Sequence, residues 1–295
     1  MAFTSYDGIL AALAAGQGQE IYFQKTLPAA HVAGNFYTSW AYAGTPAAGG
    51  WAGAGGAASA TMVTCTNATP GALTLASPTT ASATNPHILT AGAVQAVGAQ
   101  TMAGTLMLID RLADSGPLTT TFGGSCSLTM PVATSLWARY ADGIGVQAFV
   151  ESLETTVPTV STTIALTYTN TAGTGARTSG STTVAATKSL VKGTNGPFLS
   201  MASGDLGIKT IESIQVGAVT PAAGTIALVV CKPLLIIPCT TTGYYVERDL
   251  VIQTPKLPKL QVAADASACL QWIFFPNAAT TSGSVFMGSV STVTG

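Results

Sequence analysis

Apolar positions along this chain come in short runs, and the spacing within the runs changes once. At the start, Ile9, Leu10 and Leu13 share a face at helical spacing, which predicts one short amphipathic helix over 4–16. Thr4 stands where it can cap that helix, Asp7 supplies the capping-box acid, and Gly16 and Gly18 stop it. Beyond Gly18 the pattern is that of strands. Ile21–Gln24 and Asn35–Trp40 are aromatic-bearing runs bounded by Pro28, Gly34 and Gly44. Further strands are predicted over Ile208–Val216, Thr225–Val230 and Cys269–Phe275, after which the chain reads as a Ser/Thr/Gly tail. The prolines of Thr254–Leu260 lack amide donors, so that segment reads as an extended arm.

An internal repeat organises the middle of the chain. Asp142–Phe149 (DGIGVQAF) matches Gly204–Ile211 (GDLGIKTI) when Gly145 is set on Gly207, an offset of 62. The same offset aligns Thr163–Leu166 with Thr225–Leu228 without a gap, and Thr105–Ile109 is a weaker third copy lacking the Asp-Gly element. Each unit is a turn fixed by glycine, a strand, a second turn and a second strand. The alternation in Ile208–Val216 is imperfect, as a bulge would make it. Two such units packed face to face predict a mainly β fold, a β-sandwich of the jelly-roll kind. Three segments follow: 1–60 with the helix, an arm and a Gly/Ala-rich loop; 61–253 with the sandwich and its repeat; 254–295 with the proline-containing arm and a last strand.

Composition sharpens this picture. Of 295 residues only 8% are charged, against about 25% in an ordinary soluble domain, while the hydrophobic share is 47% and the net charge −1. Charge-rich disorder, a coiled coil and a basic nucleic-acid-binding face are excluded. A surface so poor in charge tends to associate, which points to a place inside an assembly. The candidate interface anchors are the aromatics in and near the N-terminal arm: Phe3, Tyr6, Phe36, Tyr37, Trp40 and Trp51. The other reading of the same aromatics is the domain's own core. Mean hydropathy is +0.44, yet the most apolar stretch, Ile226–Pro238, is split by Lys232-Pro233 and falls short of the roughly 18 residues of a spanning helix. The first 20 residues have no Lys or Arg before their apolar run and carry Asp7 inside it, so no secretory signal is expected.

Motifs that would carry chemistry are incomplete. The five cysteines include no C-x-x-C pair and only two histidines accompany them, so buried free thiols are expected rather than a zinc site or a disulfide framework. Gly53, Gly55 and Gly56 lack the third glycine of a dinucleotide loop and any following Gly-Lys-Ser/Thr. Gly123–Cys126 lacks the trailing glycine of a nucleophile elbow. Asp142 and Asp205 recur nearly in register across the repeat, which fits turn-stabilising side chains better than an acid pair; Asp110, Asp114 and Asp142 have no metal-loop spacing. Glu247-Arg248-Asp249 reads as a solvated strand end rather than a docking ion pair. No catalytic, cofactor or metal residue is assigned, and no enzyme is expected.

The opening MAFTSYDGILAAL, Ala138–Val146, Gly196–Leu199, Gly204–Lys209, Thr225–Pro238 and Val246–Leu250 together resemble structural proteins of tailed-bacteriophage particles. The resemblance implies a virion role with no catalytic or ligand residues to transfer. The chain has neither the long spine helix nor the charged extended loop of a major shell protein, so the implied role is a capsid decoration, cement or other head-associated protein that forms homo-oligomers and stabilises the shell. Its partners would be copies of itself and other capsid proteins, with no direct nucleic-acid contact and no membrane. It would reside in the virion, and in the host cytoplasm during assembly. The alternatives are a major capsid protein, or a tail or fibre adhesin stacking host glycans on Trp51 or Trp137.

Overall fold

The computed structural model describes residues 3, 5–53, 59–75, 86–95, 104–119, 124–129, 139–153, 162–184, 190–192, 196–216, 225–239, 243–253, 259–260 and 268–294. The helix predicted at the start is α1 (Tyr6–Ala14), and Ser5 rather than Thr4 caps it, its Oγ accepting the Gly8 amide at 3.3 Å. Asp7 lies in the first turn, at the positive end of the helix. Gly16, at φ 74°, lets the chain reverse so that the Gln17 amide bonds back to the Ala12 carbonyl at 3.0 Å.

Strands follow. The first nine are β1 (Gly18–Thr26), β2 (Phe36–Thr38), β3 (Ala43–Thr45), β4 (Ser59–Thr61), β5 (Val63–Thr64), β6 (Pro86–Gln95), β7 (Gly104–Asp114), β8 (Leu118–Thr119) and β9 (Gly124–Thr129). Then come β10 (Gln147–Glu151), β11 (Thr162–Asn170), β12 (Arg177–Thr178), β13 (Thr182–Val184), β14 (Leu190–Lys192) and β15 (Ile208–Val216). The last are β16 (Thr225–Cys239), β17 (Val246–Asp249), a turn of helix α2 (Leu250–Gln253), β18 (Leu270–Pro276) and β19 (Val285–Thr294). The protein is mainly β. Among the described residues neither helix is long and apolar enough to cross a membrane.

The sequence predicts two sheets face to face; the ladders instead join six strands into a closed antiparallel ring. β7 pairs with β18, β18 with β2, β2 with β14, β14 with β10, β10 with β16, and β16 returns to β7. Ile109, Phe149, Val229, Cys231 and Ile273 pack together inside the ring. Alternation sends the intervening residues outward, where two flanking sheets cover them. The five-stranded sheet β17-β6-β19-β1-β3 packs Phe23, Ile88, Phe286 and Val290 on Leu106, Trp272 and Phe274. On the other side, β11 and β15 pack Leu166, Tyr168 and Ile214 on Val150, Leu228 and Val230. β16 runs through both cores as one strand of 15 residues. Register shifts at Val230/Cys231 and Pro233/Leu235 let its two halves face different neighbours, so Lys232-Pro233 marks a bulge rather than an end.

The repeat is structural. Its strands are β10 and β11 in one copy, β15 and β16 in the other, and each copy's first strand pairs with the other's second: β10 with β16, β15 with β11. The bulge expected in Ile208–Val216 lies opposite Thr167/Tyr168, with a second shift at Thr169/Asn170. The two glycine turns sit back to back: the Gly145 amide donates to the Leu206 carbonyl at 2.8 Å, and Ile208 to Val146 at 3.1 Å. A Cβ on Gly207 would stand 2.0 Å from the Gly143 carbonyl oxygen, so the motif keeps glycine because backbone meets backbone there.

Two sequence readings need correction. The supposed tail contains β19, which lies between β1 and β6 and buries Phe286, Val290 and Val293. Its Ser, Thr and Gly residues disguise a half-buried strand. The three sequence segments also interleave: the five-stranded sheet takes β1 and β3 from 1–60, β6 and β17 from 61–253, and β19 from 254–295. Residues 254–258 of the proline arm lie outside the described residues.

Candidate functional site

The densest chemistry lies inside the ring. On β7, the run Ile109-Asp110-Arg111 turns Arg111 inward and Asp110 outward. The Arg111 guanidinium donates to Glu151 at 2.6 Å, to Gln271 Oε1 at 3.1 Å and to Asp114 at 3.1 Å, and lies 4.4 Å from the Trp40 ring centre. Gln271 in turn donates to the Thr38 hydroxyl at 2.6 Å. Asp114 also accepts the amides of Ala52, Gly53 and Gly116, and so ties the Gly/Ala loop to the end of β7. Outside the ring, Arg139 grips Asp110 through two bonds of 3.0 and 2.9 Å, and Asp110 accepts the Cys269 amide at 2.9 Å.

All five charged groups are at most 2% exposed. Burial pushes the Glu151 and Asp110 carboxyls up, and the guanidinium beside each pulls it back down. Burial alone would lower Arg111, but Glu151 and Asp114 hold it above its ordinary value. Sealed from solvent, this network ties β7 to β10 and to β18, and through Thr38 to β2. Sequence reasoning missed it, although charges interrupting the apolar run LMLIDRLAD were the available signal.

The six aromatic candidates do not gather at one place. Tyr37 and Trp40 are 1% and 0% exposed and belong to the chain's own interior, which removes them as surface anchors. Tyr37 stacks on His31 at 3.8 Å, and the Trp40 indole donates to the Gly50 carbonyl at 2.8 Å. Phe36 stacks on Phe275 at 4.5 Å and is partly buried. Trp51 packs half-buried in the cluster of Trp40, Cys65 and Cys269. Phe3 meets the His87 ring edge-on at 5.2 Å, under α1. Of the six, Tyr6 alone is open, at 58%; with Leu10 and the half-exposed Leu13 it forms a stripe on α1 beside the buried Ile9 and Ala12. Trp137 lies outside the described residues.

The remaining motifs resolve locally. Asp142 accepts the Ile144 amide at 3.0 Å within its own turn. Asp205 accepts from the Tyr168 hydroxyl, Asn170 and Arg177 at 2.6, 2.8 and 3.0 Å, and the Arg177 guanidinium leads in holding its carboxyl down to about 2. These two acids brace different elements. Asp249 caps α2 through the Val251 amide at 2.9 Å, and Arg248 donates to the Ile236 carbonyl at 3.2 Å. Cys65, Cys231, Cys239 and Cys269 are buried free thiols. Among the described residues no three His, Cys, Asp or Glu side chains group as a metal site. Comparison of the chain with protein-family models, with curated proteins and with solved structures found no match in any of the three.

Proposed function

We propose that this chain is a structural subunit of a bacteriophage particle: a head-associated decoration or cement protein that assembles with copies of itself and with other capsid proteins. The observation that carries the reading is the uncovered apolar stripe Tyr6, Leu10, Leu13 on a surface nearly without charge. Of 23 charged side chains, Lys25, Asp110, Arg111, Asp114, Arg139 and Glu151 are buried, leaving at most 17 over 12042 Å². That is about one per 700 Å², where ordinary composition over the same area gives about one per 160 Å². Such a surface is poorly protected against association and well suited to it.

Size-exclusion chromatography with light scattering tests this. The wild type should run as an oligomer, and Tyr6→Lys with Leu10→Lys should shift it toward monomer without lowering its melting temperature. A concentration-independent wild-type monomer that also fails to bind phage heads would refute the proposal.

A further inference from the structure

We propose that the open end of the outer face of the five-stranded sheet is a binding groove for a neutral oligosaccharide. On β1, Glu20, Tyr22 and Gln24 alternate outward while Ile21 and Phe23 enter the core. Register places Tyr22 beside Ser289 and then Gly92, and Gln24 beside Met287 and then Val94. α1 covers only the far end of this face, where Leu13 stands 2.8 Å from the position a Gly18 Cβ would take. Tyr245, just before β17, lies across the open end: a Cβ on Gly92 would come within 2.0 Å of its hydroxyl, so the glycine makes room for the ring.

The result is a groove of about 510 Å³ between Tyr22 and Tyr245. A smaller hollow of about 260 Å³ adjoins it on the other flank of Tyr22, beside Pro46 and Leu73. Both tyrosines present their rings to solvent, Tyr22 at 66% and Tyr245 at 49% exposure. Glu20, beside the Tyr22 hydroxyl, raises the phenol above its ordinary value.

The lining selects the ligand. Among the described residues no Lys, Arg or His borders either hollow, and Glu20 gives the rim a negative charge, so an anion finds no counter-charge. An extended peptide finds no free ladder, because β1, β19 and β6 are hydrogen-bonded to one another throughout the floor. What remains is two aromatic faces, an apolar floor of Met287 and Val94, and hydroxyl, amide and carboxylate groups from Ser289, Thr45, Gln24 and Glu20. A pyranose offers the complement: a flat C–H face to lay on a tyrosine and a rim of hydroxyls that donate and accept. Two hollows flanking one aromatic ridge fit a chain of such rings.

The test is an array of neutral, sialylated and uronate-containing glycans, followed by calorimetry of the intact chain with the strongest hit. Binding to a neutral glycan is expected. Tyr22→Ala and Tyr245→Ala should each weaken it about tenfold, Tyr22→Phe much less, and Gly92→Val should weaken it by displacing Tyr245. Melting temperatures of the tyrosine variants should match the wild type, since both side chains are on the surface. No neutral glycan bound, a preference for the acidic glycans, or affinity indifferent to Tyr22→Ala and Tyr245→Ala would each overturn the proposal. Oligomer mass is read separately with the Tyr6 and Leu10 variants, so failure here leaves the assembly reading standing, and the reverse.

Discussion

Replacing Arg111 by methionine keeps the length of the side chain inside the ring and removes its charge. Glu151 and Asp114 then lose the cation they share, and the Gln271 carbonyl loses a donor. Breaking a fully buried pair costs about 3–5 kcal/mol, a large part of the 5–15 kcal/mol that holds a typical protein folded. With a urea slope of about 3 kcal/mol per molar, the unfolding midpoint should fall by roughly 1 M or more. The loss should also depend on pH. Burial already raises Glu151, and without Arg111 it rises further. A carboxyl whose folded pKa lies above its unfolded value near 4.3 stabilises fully below that value and loses its contribution as pH rises through the folded one. The Arg111→Met penalty should therefore be smaller at pH 5 than at pH 8, and adding Glu151→Gln should recover part of it at pH 8. Urea titrations followed by tryptophan fluorescence at both pH values measure this. An unchanged midpoint, or a penalty equal at the two pH values, would refute the view that the ring depends on this charge.

Two further outcomes follow from buried groups and tight backbone. His31 is stacked on Tyr37 and bonded to the Tyr42 hydroxyl, and burial lowers its pKa from 6.5 to about 4. The unfolded chain takes up that proton first, so the stability tied to a neutral His31 is complete above pH 6.5 and drains as pH falls through 4. It amounts to roughly 3 kcal/mol, and His31→Gln should flatten the fall in melting temperature between pH 7 and 4.5 relative to wild type. Gly207→Ala drives a methyl into the Gly143 carbonyl, 2.0 Å from its ideal position, and should cost about 1–3 kcal/mol by thermal unfolding. Gly50→Ala, where a Cβ meets nothing within 4 Å, is the control and should be close to neutral.

Local pattern carried the reading where structure is local. Ile208–Val216 has the limits its alternation predicts, α1 lies within its predicted span although of Ile9, Leu10 and Leu13 only Ile9 is buried, and the glycine turns of the repeat align and then pack on each other. The ring was illegible because its closure depends on β2 meeting β14 across about 150 residues of sequence and β18 across more than 230, with no mark of their partners. The Tyr37 and Trp40 pattern suits an interface as well as a core, and only the Arg111 network packed beside Trp40 decides between them. Tyr22 and Tyr245 lie far apart in sequence and are joined by a glycine on a third strand, so no linear motif announces the groove.

Glu247, Arg248 and Asp249 gain a meaning from where β17 lies. Among the described residues it is the last strand of the five-stranded sheet, with no strand paired on its outer side. A border of that kind can template the addition of another chain, and charged side chains are a standard deterrent. The ring needs no such guard, because closure leaves it without a free border. Three of the protein's few charges follow one another along that border, Glu247 the most exposed of them, and at the other border Pro46 follows β3 directly. Edge-to-edge addition of another chain, the route by which a charge-poor surface grows into a fibre, is thereby discouraged at both rims.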